Sequence, residues 1–426
     1  MPEPKAVLPR LRAEILTGVL KPGDPVNEVK LAERYGVSPT PVREAVWQLI
    51  SEGYIEGGRN RRRRVMKLSP ERGVGIVELL GVLIPAALER AGRWAPGVEL
   101  DRLADGADAM ANSLDRQDPG AVIGEAVGFV DLLAETCRQP QLGRQLNETV
   151  RRAGSLILFP AEVWTPWSGW SAQLRWIATA LRDRQLRLAA SAYTELMTGF
   201  ADRMRAVLPQ LAEGPDRPPE AVGRTRHEEV VEQLQDDILS GVLKPGDPVR
   251  ETEISARLGV SSTPVREAIR VLIAVGLIDG QPHRTRRVSV LSAEEYLAAV
   301  DLLRLLQTWL LPRALGAMSE EDFGGFIARA ELAAERFEQD DPAGLPPAVF
   351  EMYEELGRHG NHEVAAAFVS SLRRTLPYWR SYDLAPHRHF TRALASLQYP
   401  VRIAGAAAAI DRLNRERPAD FTPPAR

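Results

Sequence analysis

One stretch of sequence occurs twice in this chain, and any fold must accommodate both copies. Residues 15–71 and 238–294 align at a constant offset of 223 residues without insertion or deletion, and 34 of the 57 aligned positions are identical. A repeat of this length exceeds the 20–50-residue periods of solenoids and propellers. It reads instead as a domain present twice. Each copy is followed by a longer segment that differs far more, so the order is A–B–A′–B′. The 426 residues suit three or four domains.

Local chemistry predicts the content of the repeat. In the first copy Leu8, Leu11, Ile15 and Leu16 fall at helical spacing, and Gly18 can stop that helix. Lys21-Pro22-Gly23-Asp24-Pro25 is turn chemistry. Val26, Val29, Leu31 and Ala32 suggest a short helix closed by Gly36. Ser38 or Thr40 can cap the next helix, whose first turn tolerates Pro41. Val42, Ala45, Val46, Leu49 and Ile50 give that helix a buried stripe. Tyr54-Ile55 and Val65-Met66 are strand-like runs around a Gly-rich hairpin tip.

Helix, short helix, tight turn, helix, hairpin is the order of a winged helix-turn-helix. Such a motif sets the N-terminal side chains of its recognition helix against base edges. Those side chains are Ser38, Thr40 and Arg43 in the first copy, and Ser261, Ser262, Thr263 and Arg266 in the second. The hairpin adds Arg59, Arg61, Arg62, Arg63 and Arg64, with Arg284, Arg286 and Arg287 in its counterpart. Arginines on a projecting hairpin suit phosphates or a narrow minor groove. The net charge of −3 does not itself point to nucleic acid, so the charge argument is local. Residues 1–68 carry 13 Lys/Arg against 8 Asp/Glu, whereas residues 224–292 carry 10 of each. The first copy is the more DNA-attracting on charge alone.

With GVLKPGD, GVSPTPVREA and GVSSTPVREA in view, both copies resemble the GntR-type regulators, specifically the FadR subfamily, over their whole length. The resemblance implies double-stranded operator DNA as partner. The family usually places an Arg between the Ser and Thr of this motif, where it commonly reads a base. Here Pro39 and Ser262 occupy that position, so base preference is expected to change and to differ between the copies. Arg43 and Arg266 match the family motif.

The segments between the copies read as helical. Val77, Leu80, Val82, Leu83 and Leu88 open the first, and Leu302, Leu303, Leu306, Leu310 and Leu311 open the second. Prolines 160 and 166 with Gly169 forbid one continuous helix over 159–170. The resemblance implies here the family's FCD effector domain, a bundle of six or seven helices that binds a small acid, often through a metal held by one Asp and three His. The motif positions do not carry that set. Val130 stands at the first His position, the first half has no histidine before His227, and only His387 fits in the second half. One ligand in four does not hold a metal, so no metal and no cofactor is expected. His359, His362 and His389 offer a set that could rebuild a site, against their simpler reading as surface or helix-end residues. An effector that is an organic acid or aromatic molecule has other candidates. Arg151, Arg152, Arg373 and Arg374 can pair with a carboxylate, and Trp164, Trp167, Trp170, Trp176, Trp309, Tyr378, Trp379 and Tyr382 can line an aromatic pocket or simply pack.

The expected fold class is mainly α, with two winged helix-turn-helix domains, each with a small β wing, alternating with two all-α bundles. The expected boundaries are 1–70 and 71–212 for the first pair, a Pro-rich linker at 213–227, 228–292 and 293–417 for the second pair, and a tail at 418–426. The single cysteine, Cys137, excludes an intramolecular disulfide. No signal peptide and no run of 18 apolar residues is present, which points to the cytoplasm. High Ala, Arg, Gly and Pro suit a GC-rich bacterial genome. The expected function is a ligand-responsive, non-enzymatic transcriptional regulator. Its two bundles would pack by a pseudo-two-fold so that one chain acts as a pseudodimer, or two chains would form a homodimer with four heads. The alternative is an enzyme or ligand-binding protein on the same scaffold that has lost DNA binding. Against an enzyme, neither a supported Ser-His-Asp set nor a phosphate loop is found.

Overall fold

The structure is a computed structural model. It describes residues 7–16, 19–21, 23–51, 54–56, 63–66, 70–154, 156, 161–211, 226–239, 241–274, 276–280, 285–339, 345–375 and 385–415. The chain forms two compact units, Met1–Arg217 and Pro218–Arg426. The linker core and the tail at 418–426 lie outside the described residues.

Each unit begins with a winged-helix head. In the first, α1 (Val7–Leu16), α2 (Glu28–Tyr35) and α3 (Pro39–Ser51) precede β1 (Ile55–Glu56) and β2 (Arg64–Val65). Leu11, Ile15, Val42, Val46 and Leu49 are fully buried where α1 and α3 meet. Such burial contributes about 1.5–3 kcal/mol per side chain. Asn27 caps α2, its side chain accepting from the Val29 and Lys30 amides, and Gly36 closes it at φ +68°. That left-handed geometry is cheap only for glycine. Val26 precedes the helix and is buried, whereas Val29 is exposed, so the expected apolar stripe of α2 is carried by Leu31, Ala32 and Tyr35 instead. The strands pair antiparallel, Ile55 with Val65 and Glu56 with Arg64. A bridge from Pro25 to Arg64 adds a third edge to the wing, where the sequence shows only a turn.

The second head repeats this plan in α10 (Arg226–Leu239), α11 (Glu251–Leu258), α12 (Ser262–Ala274), β3 (Ile278–Asp279) and β4 (Arg287–Val288). The Lys244–Asp247 turn explains the KPGD motif. The Asp247 amide donates to the Lys244 carbonyl at 2.9 Å and Gly246 sits at φ +88°. The Asp247 carboxylate accepts from the Lys244 amide at 2.8 Å. A proline followed by a positive-φ glycine is the demand of a type II turn. The turn delivers the chain onto the wing through the Pro248–Arg287 bridge.

Among the described residues, six α-helices follow each head. The first bundle comprises α4 (Pro70–Trp94), α5 (Gly97–Asp115), α6 (Pro119–Thr136), α7 (Pro140–Ala153), α8 (Trp167–Arg182) and α9 (Leu186–Leu211). The second comprises α13 (Ala293–Ala317), α14 (Glu320–Glu338), α15 (Leu345–His359), α16 (His362–Thr375), α17 (Ala385–Ala395) and α18 (Arg402–Arg415). The bounds of α13 and α14 equal those of α4 and α5 shifted by 223 residues. The offset thus persists in structure well beyond the stretch where sequence identity is high. The packing scheme repeats as well: α4 meets α6, α7 and α9 as α13 meets α15, α16 and α18, and α5 meets α6 and α8 as α14 meets α15 and α17. Around the expected interruption, a short 3-10 turn at Ala161–Trp164 precedes α8.

Candidate nucleic-acid interface

Ser38 immediately precedes α3, and Thr40 and Arg43 stand in its first two turns, all exposed. In the second head Ser261, Ser262, Thr263 and Arg266 occupy the equivalent places around the start of α12, also exposed. The structure therefore brings each predicted recognition set together on one helix end.

The wing arginines divide into groups with different surroundings. Arg64 donates to the Gly23 carbonyl at 2.9 Å, and Arg287 to the Gly246 carbonyl at 2.8 Å. Both residues are exposed, so their remaining donors face outward. Arg63 instead pairs with Glu28 and lies over Trp47 at 5.0 Å from the ring centre, with 11% of its side chain exposed. Burial holds its guanidinium below the usual range. The same Glu28 meets Arg43 at 3.4 Å. A single carboxylate at the start of α2 therefore joins the wing to the recognition helix.

The second head repeats the clasp. Glu251 accepts from Arg266 at 3.1 Å and also pairs with Arg286. Partial burial opposes ionisation of Glu251, yet the hydrogen bonds from Arg266 and Arg286 hold its carboxyl below the ordinary value. Neither Glu28 nor Glu251 was among the residues expected at the interface. The signal available was the acidic first position of each short helix, which reads equally well as helix-end electrostatics. Arg59, Arg61, Arg62 and Arg284 lie outside the described residues.

The effector-site candidates are dispersed. A cavity of about 100 Å³ lies inside the first bundle and includes Trp164 and Trp170 in its lining. Trp167 does not line it but stacks on Trp164 at 5.9 Å between ring centroids. Arg151, Arg152 and Trp176 are also absent from its lining, the first two standing at the end of α7. In the second unit Arg373 donates to Gln235 at 2.7 Å and lies over Phe350 at 4.7 Å, at the edge of a cleft of about 670 Å³. That cleft also carries Glu232, Asp236, Glu351 and Glu354. Burial first, and Glu232 second, raise the Asp236 carboxyl, a setting that disfavours a further anion. The side chains of Arg374 and His387, and residues 378, 379 and 382, lie outside the described residues. His359 ends α15 with Glu355 at 3.2 Å, His362 opens α16, and Trp309 receives Arg313 over its ring at 4.2 Å. Among the described residues no group of three or more His, Cys, Asp or Glu is placed to hold a metal ion. No helix among them is long and apolar enough to cross a membrane.

Fold and interface define a protein with two winged helix-turn-helix heads on one chain, each followed by a helical bundle. The family described as bacterial regulatory proteins, gntR family, matches residues 5–65 and 226–288, the segments of the two heads. The chain is 39% identical over 111 residues to a probable D-xylose utilization operon transcriptional repressor of Paenarthrobacter nicotinovorans, covering 24% of this chain and 49% of that protein. It is 36% identical over 123 residues to the HTH-type transcriptional regulator Mce2R of Mycobacterium tuberculosis, covering 28% and 49%. The chain thus spans about half the length of the curated relatives it matches. A solved structure of a putative GntR transcriptional regulator from Rhodococcus sp. RHA1 aligns at 22% identity with a TM-score of 0.36, over 45% of this chain and 93% of that one.

Proposed function

We propose that this chain is a transcriptional regulator of the FadR type that binds operator DNA with both heads and is modulated by a small molecule held in its bundles. The observation that carries the reading is the duplicated recognition set. Ser38, Thr40 and Arg43, and Ser261, Ser262, Thr263 and Arg266, are exposed at the starts of α3 and α12 within the two family-matching segments. The wing residues Arg64 and Arg287 supply phosphate contacts beside each helix, joined by Arg59, Arg61, Arg62 and Arg284. Arg63 and Arg286 act through the glutamate clasp. Two heads on one chain replace a concentration-dependent pairing with a high effective concentration. The chain then acts as a tethered pseudodimer, with a homodimer of four heads as the other arrangement. Its place of action is the cytoplasm, with DNA. The bundles correspond to the family's FCD domain, and a ligand that binds two states unequally shifts DNA affinity.

Selection from random duplex DNA tests the reading, with the wild type beside an Arg43→Ala/Arg266→Ala double variant. An enriched motif of two unlike half-sites, lost in the variant, is the expected result. Failure of the wild type to enrich any sequence at moderate salt overturns it. The second reading, a ligand-binding protein that has lost DNA binding, draws on Pro39 and Ser262 at the position where the resembled family carries Arg.

A further inference from the structure

The cavity of the first bundle is bounded by α4 to α9, and among its lining residues none is charged. Moving an ionised carboxylate into such surroundings without a counter-charge is strongly unfavourable. Three of the lining side chains nevertheless carry a polar group, Tyr193 with its hydroxyl and Trp164 and Trp170 with their indoles. The indole N–H groups of Trp164 and Trp170 are buried and, among the described residues, have no hydrogen-bond partner. Buried donors are normally satisfied, so two open donors on residues that line one cavity call for an acceptor. The surrounding packing fixes both rings. Trp164 tilts against Phe200 at 5.2 Å, and Trp170 meets Phe200 edge-on at 6.1 Å. Gly199 lets Trp170 approach, since a Cβ there would meet its ring at 3.0 Å. The second bundle is arranged differently. Its buried Tyr353 is already hydrogen-bonded to Gln307 and stacks on Phe368 at 3.7 Å.

We propose that the first bundle binds an uncharged, predominantly apolar small molecule bearing one hydrogen-bond acceptor, a carbonyl or ether oxygen, which receives the indole N–H groups of Trp164 and Trp170. The proposal deepens the reading of the bundles as the ligand-responsive part and rests on it for its regulatory meaning. A dry apolar cavity of roughly 150 Å³ accepts benzene. A volume of about 100 Å³ therefore limits the occupant to a single ring or a short chain at most. The ligand is a neutral ketone, ester or phenol-sized aromatic rather than a free acid.

Calorimetry on the full chain with toluene, acetophenone and benzoate tests the assignment. Acetophenone is expected to bind about tenfold more tightly than toluene, the worth of one good hydrogen bond, and benzoate not to bind. Trp164→Phe and Trp170→Phe keep a ring while removing the donor. They should erase the acetophenone advantage and leave toluene unchanged. Leu114→Phe places in α5 the ring that α14 carries as Phe337 at the same offset, and it should weaken both. Benzoate binding as tightly as acetophenone overturns the proposal. So does acetophenone binding that none of the three variants alters, and so does binding of neither neutral probe. Affinity for the selected DNA, measured on the same samples, separates the two readings. Acetophenone binding that follows this pattern without changing DNA affinity supports the site and removes the effector role.

Discussion

In the first head Arg63 exposes 11% of its side chain, paired with Glu28 and lying over Trp47. In the second, Arg286 exposes 34%, paired with Glu251, and Arg270 stands at the offset of Trp47. The acid–base pairing is the same, but its surroundings are not. A buried pair derives its importance from the cost of leaving one partner alone, whereas a half-exposed pair is screened by water. The ring that buries Arg63 also removes it from the solvent-facing cations of the first wing. Arg270 adds one to the second head, where it is exposed. The charge balance of +5 against zero therefore overstates the difference in freely available cations between the heads.

The sharpest break of this comparison is Glu28→Gln. It leaves the Arg63 guanidinium buried without a counter-charge and should destabilise the first head by about 3 kcal/mol. Faster hydrogen exchange across α2 and α3 would report it. Glu251→Gln should cost at most about 1 kcal/mol in the second head, and equal losses in the two heads would remove the distinction. Next come the recognition arginines. Arg43→Ala and Arg266→Ala should each weaken binding to selected DNA by about 1–3 kcal/mol, read by fluorescence anisotropy. A loss confined to Arg43→Ala would mean that one head carries the sequence reading. A smaller effect is expected from Trp47→Arg, which trades a cation–π contact for a like charge beside Arg63. About 1 kcal/mol of first-head stability should go, measured by denaturant titration. The smallest concerns pH. The Glu251 carboxyl is held low in the folded state by Arg266 and Arg286. Its contribution is therefore fully present above the unfolded carboxyl value of about 4.3 and is lost as pH falls through the lower folded value. Exchange at α11 should rise in that acid range, and Glu251→Gln should abolish that part of the rise.

Much of the head was legible in its residues because turn chemistry and helix ends are local. Gly36, the KPGD turn and the stripe Val42, Ala45, Val46 and Leu49 all announce their roles without reference to distant parts of the chain. The clasp was not, because Glu28 meets Arg63 only after the wing folds back. An arginine run in a sequence does not reveal which member turns inward. The bundles were legible as helices, but their interiors were not. Trp164 and Trp170 enter one cavity while Trp176 is exposed, and which face a tryptophan takes depends on helix rotation set by packing. The joint between head and bundle was equally hidden. Tyr54 reaches Gly154, at the end of α7, so closely that glycine alone leaves room for its hydroxyl. Leu277, at the same offset, instead lines a cavity of about 300 Å³ beside α16. The first joint is filled by a ring that the second lacks.

The glutamate clasp also changes what salt should do to a protein of this kind. A guanidinium that already holds a carboxylate does not simply gain an anion when it reaches a phosphate; it exchanges one for another. For Arg43, Arg63, Arg266 and Arg286 the attraction to DNA is a difference between two similar terms, so these four residues contribute alignment more than pull. Dependence of binding on ionic strength, which counts phosphates neutralised, should then return fewer ions than the heads have arginines. The shortfall measures how much of each head's charge is spoken for before DNA arrives.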